Sequence, residues 1–446
     1  MASIASAAPP GTAVPFREAF WFWVRLGFVN FGGPAGQIAI MHRELVEQRR
    51  WIGEGAFLRG LSFCNLLPGP EAQQLAAYIG WRLHGIRGGI VAGAFFVIPS
   101  IFLLLLLSWL AVAYGEVPWV SGLLYGVQPV VVAVVFAAVL RVGGRALHHP
   151  ALVAVAMLSF VAIALLRVPF PAVMLCAGLA GLALQRPFPA AFRARGHGGD
   201  EAPQADGEGA GREREPDHRD VSPSWARAAR IILVCVALWA VPVGALWLWR
   251  GPGDVLVREA LFFTQAAFVT FGGAYAVLAY VAEQAVNTYG WLGPDEMAQG
   301  LGLAESTPGP LIMVTQYVGF VGAWRQSGAY PPLLNGVLGG LITTYVTFLP
   351  SFMLIFLGAP HIEALGRDRR IAGALSGVTA AVVGVIASLG LFFGAHVLLR
   401  GGRIDLFAMV LAALSFVAIQ RVGVPVYLAV PAGALLGMAW RISGLG

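Results

Sequence analysis

The sequence predicts an all-α, polytopic membrane protein built from two repeats. Of its 446 residues, 58% are hydrophobic and 12% are charged, and several uncharged apolar runs exceed the roughly 20 residues that a helix needs to cross a bilayer. Because lipid offers no partner to free backbone N–H and C=O groups, the spanning segments must be helical. Similar motifs recur in the same order in both halves, which indicates an internal duplication.

Composition also excludes several classes of protein. The three cysteines, Cys64, Cys176 and Cys235, lie in separate apolar segments, which argues against a disulfide framework or a metal site. All 29 basic residues are arginines, and they cluster in short loops beside apolar runs, which favours a role in membrane orientation over nucleic-acid binding. There is no HExxH, GxSxG or P-loop motif, so we expect no enzyme activity, no cofactor and no metal.

The chain divides into five segments. The first 15 residues lack the pattern of a secretion signal and are expected to be a disordered tail. The Gly-, Pro-, Glu- and Arg-rich stretch in the middle cannot bury a core and is expected to be a polar cytoplasmic linker. The predicted segments are the tail 1–15, a first repeat 16–186, the linker 187–226, a connecting transmembrane helix 227–250 and a second repeat 251–446.

The duplication is visible as matched motifs whose offset grows slowly along the chain. An offset of 240 relates the two Phe-Gly-Gly motifs, two tryptophans and the two Pro-Gly-Pro motifs, and larger offsets relate later matches. The matched pairs are 31–33 with 271–273, Trp51 with Trp291, 68–70 with 308–310, Pro99-Ser100 with Pro350-Ser351, and LSFVAI at Leu158 with LSFVAI at Leu414.

The distribution of charge predicts that the two repeats have opposite orientations. The segment between the Gly and Pro motifs of the first repeat is rich in arginine, including Arg49 and Arg50, whereas its counterpart has no basic residue and carries Glu283. Because arginine-rich short loops stay in the cytoplasm, equivalent segments should face opposite sides. The extra apolar span 231–249 would turn the second copy over. We therefore expect inverted repeats, a cytoplasmic N-terminus and an external C-terminus.

The Phe-Gly-Gly and Pro-Gly-Pro motifs are expected to break helices within the membrane. Proline and glycine predict short helices at about 57–67 and 70–81, a helix that ends at Phe31, and a helix from Pro34 to Arg49. By inversion, two further helices should begin near Ala274 and Pro310. Four helix N-termini would then meet at the midplane, where their free N–H groups and partial positive charge form an anion site. Broken helices at equivalent places in inverted repeats are typical of transporter substrate sites.

The expected lining of this site is polar but uncharged, with two carboxylates beside the breaks. Its predicted substrate-binding residues are Gly32, Gly33, Pro34, Gln37, Asn65, Pro68, Gly69, Pro70, Gln73, Gln74, Gly272, Gly273, Thr307, Pro308, Gly309, Pro310 and Gln316, with Thr315 nearby. Glu71 and Glu305 are the candidate proton carriers. The alternatives are that Glu71 only complements its helix dipole, that Glu305 faces a water-filled vestibule, and that the glycines serve tight helix packing.

Two topologies remain possible. If each broken segment crosses fully, the chain has thirteen crossings, and if the broken segments are re-entrant hairpins it has nine. Only the hairpin version places Arg49 and Arg50 in the cytoplasm, as the positive-inside rule requires. The hairpin version is therefore the prediction.

Four longer segments surround these breaks: FGGPAGQIAIMHRELVEQRRWI, CNLLPGPEAQQLAAYIGWRLHGIRGG, TFGGAYAVLAYVAEQAVNTYGWL and ESTPGPLIMVTQYVGF. They resemble the signatures of the chromate ion transporter family, in its long form with two homologous domains. The similarity covers about residues 16–440. Small departures occur, with LAY at 278–280 in place of LPY and EST at 305–307 in place of ETT.

The resemblance implies a bacterial inner-membrane protein that exports chromate from the cytoplasm, is driven by the proton motive force and confers chromate resistance. The expected partners are chromate or sulfate as substrate, protons as coupling ion and the lipid bilayer, with no nucleic acid. A homodimer is left open as the assembly. The alternative functions are a sulfate or other oxyanion transporter, or a passive anion channel.

Overall fold

The protein is described by a computed structural model that covers residues 14–185, 187–188, 224–271, 273–362 and 369–444. These residues are helical almost throughout, with one two-stranded hairpin, so the predicted all-α class is confirmed. The predicted N-terminal tail lies outside the described residues up to residue 13. The predicted linker lies outside them from 189 to 223.

The first repeat contains eight helices in the described part of the chain. They are α1 Phe16–Val29, α2 Gly33–His42 with a π-helical continuation Arg43–Gln48, α3 Glu54–Cys64, α4 Glu71–Phe95, α5 Ile98–Tyr114, α6 Pro118–Ala146, α7 Pro150–Ala164 and α8 Phe170–Leu184. Helix α4 is interrupted by non-helical backbone at His84 and Gly85, so it consists of two shorter helices.

The connecting helix and the second repeat follow. They are α9 Trp225–Arg250, α10 Val255–Val269, α11 Ala274–Ala282 with a π-helical continuation Glu283–Thr288, α12 Pro294–Ser306, a 3₁₀ turn Leu311–Met313, α13 Val314–Arg325, α14 Pro332–Gly358 with a 3₁₀ turn Ala359–His361, α15 Arg369–Leu398, the strands β1 Leu399–Arg400 and β2 Arg403–Ile404, α16 Leu406–Val417 with a π-helical continuation Ala418–Val422, and α17 Val426–Ile442.

Within the described residues, five segments are long and apolar enough to cross a membrane, with α4 and α5 counted together as the single segment Glu71–Tyr114. Four shorter helices are also apolar. The four are α7, α8, α16 and α17. In α9, only 6% of the most apolar window is buried, as expected for a helix that faces lipid on most sides.

The first broken segment of each repeat folds back on itself. Arg49, just after the π-helical end of α2, forms an ion pair at 3.5 Å with Glu18 in the first turn of α1. Its neighbour Trp51 packs edge-on against Phe22 at 5.1 Å between ring centroids. In the second repeat, Phe262 in the middle of α10 contacts the ring of Trp291 beyond the end of α11. In both repeats the chain after the second helix lies back against the first helix, which favours the hairpin over the full crossing.

The second broken segment of each repeat is also a hairpin. Gly60 on α3 packs against the ring of Tyr78 on α4, and Gly300 on α12 packs against the ring of Tyr317 on α13. The predicted helix 57–67 is observed as Glu54–Cys64, three residues earlier. The predicted helix from Pro70 begins at Glu71. These shifts leave the Pro-Gly-Pro motifs at the hairpin tips.

This geometry makes a labelling prediction for the equivalent positions Glu47 and Asn287. In a protein whose three native cysteines are replaced by serine, Asn287→Cys is expected to react with an impermeant thiol reagent added outside, and Glu47→Cys is expected to stay unlabelled until the membrane is opened. Glu47 and Asn287 occupy equivalent places in the two π-helical continuations, 240 residues apart, and both are exposed. The two sites are therefore matched in exposure and local structure. The reverse pattern would indicate thirteen crossings.

The helices that follow the hairpins interlock the two repeats. Gly126 on α6 of the first repeat lies against Gly433 and Gly437 on α17 of the second. In the reciprocal contact, Gly377 on α15 lies against Gly181 on α8. Small residues at these crossings let the helix backbones approach closely, which is how helices associate in a membrane.

Candidate functional site

The two Pro-Gly-Pro turns adopt the same backbone conformation. Gly69 has φ +126° and Gly309 has φ +125°, a region that residues with a side chain rarely adopt. The flanking prolines lack an N–H group, so each turn offers only its glycine amide as a backbone donor. The turns are therefore specified locally by their own three residues.

Each turn docks on the Phe-Gly-Gly break of the other repeat. The amide of Gly69 donates a hydrogen bond to the carbonyl of Thr270 at 2.9 Å, and the amide of Gly309 donates to the carbonyl of Asn30 at 2.9 Å. Thr270 and Asn30 occupy equivalent positions immediately before the two breaks. The four breaks are thus joined in two reciprocal pairs, and each pair contains one segment from each repeat.

A serine from the opposite repeat packs beneath each turn. Ser100 on α5 donates a hydrogen bond to the carbonyl of Pro308 and lies directly against Gly309. Ser351 on α14 lies against the other turn, with its Oγ 2.8 Å from the place that a Cβ on Gly69 would occupy. A side chain on either glycine would therefore displace the helix of the opposite repeat.

Two of the predicted glutamines, Gln37 and Gln74, bind backbone carbonyls at these turns. Gln37 Nε2 donates to the carbonyl of Gly309 at 2.5 Å, and Gln74 Nε2 donates to the carbonyl of Pro68 at 2.7 Å. Gln316 does not bind a turn. Its Nε2 donates to the carbonyl of Ile101 on α5 at 2.8 Å, so it ties α13 to the first repeat.

Two buried amide side chains have no hydrogen-bond partner among the described residues. Asn30 and Gln73 are both fully buried, and both polar atoms of each amide are unpaired. A buried amide without a partner costs free energy of about 1–3 kcal/mol. Asn30 adjoins the turn at Gly309, and Gln73 lies in the first turn of α4, three residues after Pro70. The hydrogen-bonding groups of both amides are thus unsatisfied among the described residues.

The two candidate carboxylates have different surroundings. Glu305, near the end of α12, is 7% exposed and accepts a hydrogen bond from Tyr275 Oη at 2.5 Å. Glu71 is the first residue of α4, where a carboxylate complements the helix dipole. Its Oε2 lies 3.9 Å from the place of a Cβ on Gly273, so it reaches the break of the second repeat.

The other predicted residues divide by exposure. Gly32 and Asn65 are exposed, Gly33, Pro34 and Gly273 are partly buried, and Gly272 lies outside the described residues. Thr307 and Thr315 are buried, but their hydroxyl groups bind carbonyls of their own chain segments, Ala304 at 3.0 Å and Ile312 at 2.8 Å. The site assignment of all these residues stays a prediction.

Sequence reasoning missed four residues that contact the turns: Asn30, Thr270, Ser100 and Ser351. A signal for each was present. Asn30 and Thr270 are polar residues at the same offset of 240, each directly before a Phe-Gly-Gly motif. The two serines belong to the Pro-Ser pairs that mark the duplication, but no sequence pattern connects a serine to a turn in the other repeat.

A separate groove lies beside the start of α1. Its volume is about 490 Å³, and its lining includes Arg17, Arg25 and Arg49 together with Trp21 and Glu18. Arg49 is held there by Glu18 and by the faces of the Phe22 and Trp51 rings. The groove is therefore lined by three arginine side chains, two from α1 and one from the end of the first hairpin.

Comparison with known proteins agrees with the duplication. The family model described as chromate transporter matches residues 17–182 and 258–438. The "Chromate transport protein" of Pseudomonas aeruginosa is 30% identical over 86% of this chain and 81% of its own length. The "Probable chromate transport protein" of Synechococcus elongatus is 26% identical over 84% of both chains. No solved structure matches this chain.

Proposed function

Because the chain belongs to the chromate transporter family, we propose that it is a secondary transporter that exports chromate from the cytoplasm and so confers chromate resistance. Homologues named as chromate transport proteins support chromate as the substrate. Family membership also indicates a transporter rather than an enzyme. Export and the driving force are what the resemblance to the family implies, and the residues of the site are our inference from the contacts described above.

The observation that carries the proposal is the set of unpaired buried amides beside the docked turns. A dianion needs several hydrogen-bond donors held in a site without fixed negative charge. Asn30 and Gln73 supply such donors, and the first N–H groups of α4 have no partner within their own helix. The helix dipoles of α2, α4, α11 and α13 add partial positive charge where these helices begin.

The residues proposed from the sequence then take two roles. The amides of Gly69 and Gly309 already donate to the opposite repeat, so these glycines and their prolines shape the site. Gln37 and Gln74 also hold backbone with their Nε2 groups, but the Oε1 atoms of both are buried and unpaired. Gln73 and Asn30 are the proposed direct ligands.

The proposed orientation follows from charge. If the arginine-rich end of the first hairpin is cytoplasmic, the groove with Arg17, Arg25 and Arg49 opens to the cytoplasm and attracts anions toward the site. The second repeat is then inverted, and the C-terminus lies outside. In a bacterium this places the protein in the inner membrane.

The proton motive force is a sufficient driving force for export. Two negative charges that leave a cytoplasm at an inside-negative potential of 100 mV gain about 4.6 kcal/mol, since each charge contributes about 2.3 kcal/mol. Glu71 and Glu305 are the proposed proton carriers at the site, because a carboxylate beside the substrate repels it when ionised and admits it when neutral. Proton entry would accompany chromate exit.

The proposal is tested by flux into inside-out vesicles. A pH gradient at zero potential, acidic inside these vesicles, is expected to drive chromate accumulation above the external concentration, which a passive anion channel cannot do, and vesicles without the protein provide the control. Sulfate added in excess measures selectivity, because the two dianions share charge and shape. Uptake that only equilibrates chromate despite the gradient would overturn proton coupling, and stronger transport of sulfate would overturn the substrate assignment.

A further inference from the structure

A carboxylate outside the proposed substrate site is buried without a partner. Glu259, in the second turn of α10, is fully buried, and neither of its carboxylate oxygens has a hydrogen-bond partner among the described residues. The side chain fits between two glycines: a Cβ on Gly322 of α13 would lie 2.7 Å from Oε1, and a Cβ on Gly339 of α14 would lie 2.9 Å from Oε2. Space for this carboxylate is therefore built into the crossing of α13 and α14.

The charged groups around Glu259 do not neutralise it. On the preceding helix α9, Arg250 pairs with Asp254 at 3.5 Å, and at the end of α13 Arg325 pairs with Glu296 at 2.8 Å. Asp254 acts on Glu259 as a like charge. Arg258 precedes Glu259 directly on α10, and no ion pair between these two described residues is observed. Helices α11 and α14 also pack on α10 and carry no charged residue within their described bounds. A buried carboxylate in this situation is stable only with a proton on it.

A row of polar residues, interrupted only by Gly339, runs along α14 from the surroundings of Glu259 to the turn at Gly69. Asn335, Gly339, Thr343, Thr347 and Ser351 are spaced four residues apart, so they form one continuous ridge of the helix. The row covers about 24 Å of helix. Its side chains are buried, and the hydroxyl groups of Thr343 and Thr347 have no partner among the described residues. Ser351 ends the row against the turn at Gly69.

The first repeat shows that the fold does not need these polar groups. At the offsets of 240 and 251, Glu259 corresponds to Ala19, Thr343 to Ala92 and Thr347 to Phe96. The backbone geometry is nevertheless shared, because Gly80 meets Gly88 in the first repeat as Gly319 meets Gly339 in the second. The same helix crossing is thus apolar in one repeat and polar in the other. Packing alone does not explain the polar version.

We propose that Glu259 is a proton-binding site and that the α14 row Thr343, Thr347 and Ser351 carries protons between it and the substrate site. This inference rests on the proposed transport function and names its proton route. Each hydroxyl can accept and donate a hydrogen bond. Successive hydroxyls lie about 6 Å apart along the helix, so water molecules between them complete the chain. Every proton that Glu259 receives from one side is released toward the other, and no bond other than O–H changes.

The test separates the two components of the proton motive force in proteoliposomes. Chromate flux is measured once with a pH gradient at zero potential and once with a potential and no pH gradient. Glu259→Gln is expected to lower the gradient-driven flux at least about tenfold and to leave the potential-driven flux within about twofold. The double variant Thr343→Ala/Thr347→Phe, which installs the residues of the first repeat, is expected to do the same.

The control is Glu283→Gln, which removes an exposed carboxylate at the end of α11 and is expected to change neither flux. Gradient-driven flux that persists unchanged in Glu259→Gln and in the double variant would overturn the proposal. An equal loss of both fluxes would also overturn it, because a structural role has that effect.

A second measurement does not depend on transport. The infrared spectrum of the wild-type protein at neutral pH is expected to contain a protonated-carboxyl band that is lost in Glu259→Gln and retained in Glu283→Gln. Absence of a band assignable to Glu259 would overturn its role as a proton site. If the wild-type protein moves no chromate under either condition, the proposed function fails, while this band still decides the state of Glu259. Should Glu259→Gln not fold, Glu259→Asp, which retains the carboxyl group and shifts the band, replaces it.

Discussion

Replacement of Gly309 by alanine is expected to reduce chromate transport strongly. The new Cβ would collide with Ser100 of the opposite repeat, and alanine would also be strained at φ +125°. Backbone strain of this kind costs about 1–3 kcal/mol, and the displaced turn would lose its hydrogen bond to the carbonyl of Asn30. We expect chromate flux in proteoliposomes to fall at least about tenfold, since 1.4 kcal/mol corresponds to a factor of ten. Gly69→Ala should act similarly.

The control for this variant is Gly328→Ala. Gly328 also has a positive φ, +59°, but among the described residues no atom beyond its two chain neighbours lies within 4 Å of a Cβ built on it. Its backbone lies in the left-handed region that alanine enters at a cost of about 1–2 kcal/mol, so the variant tests strain without collision. Flux near the wild-type value is expected. If Gly309→Ala transports as well as Gly328→Ala at equal amounts of folded protein, the docked turn has no part in transport.

The second large effect is expected for Gln73→Glu. Gln73 is the buried, unpaired amide in the first turn of α4, and a carboxylate there would place a negative charge beside a dianion. We expect the KM for chromate to rise at least about tenfold, because a buried like charge costs more than a lost hydrogen bond. The measurement is the concentration dependence of flux, with KM separated from the maximal rate. Gln73→Leu should also raise KM, by the smaller amount that a lost donor predicts.

Two glutamines provide the comparison. Gln326→Glu makes the same chemical change at an exposed position after α13 and is expected to leave KM unchanged. Gln37→Leu removes a bond to the Gly309 carbonyl, so the expected loss is in the yield of folded protein. An unchanged KM in Gln73→Glu would remove Gln73 from the substrate site.

The breaks in the helices could be predicted from the sequence because proline and glycine act locally. The helices after the breaks start at Gly33, Glu71 and Ala274, close to their predicted positions, and a 3₁₀ turn begins at Leu311 before α13. The charge rule also led to the hairpin topology that the contact between Glu18 and Arg49 supports. These features depend on composition within a few residues, which a single sequence displays directly.

The rest of the site depends on contacts between distant segments. Ser100 and Gly309 are 209 positions apart, and no local pattern relates them. Asn65 belongs to the same motif as Gln73, but its side chain is exposed in the structure, whereas that of Gln73 is buried. The difference arises because Asn65 follows the end of α3, where neighbouring side chains point in different directions. Glu259 escaped notice because it lies well before the breaks, and its environment of two glycines exists only after α13 and α14 have packed.

The reciprocal docking of the turns has a consequence for any shortened form of this protein. A single half of the duplication would carry one donor glycine and one acceptor carbonyl that cannot reach each other, since each is completed by the other half. Such a fragment could rebuild both contacts only by pairing with a second, differently oriented copy. Co-production of the two halves as separate chains should therefore restore what neither achieves alone.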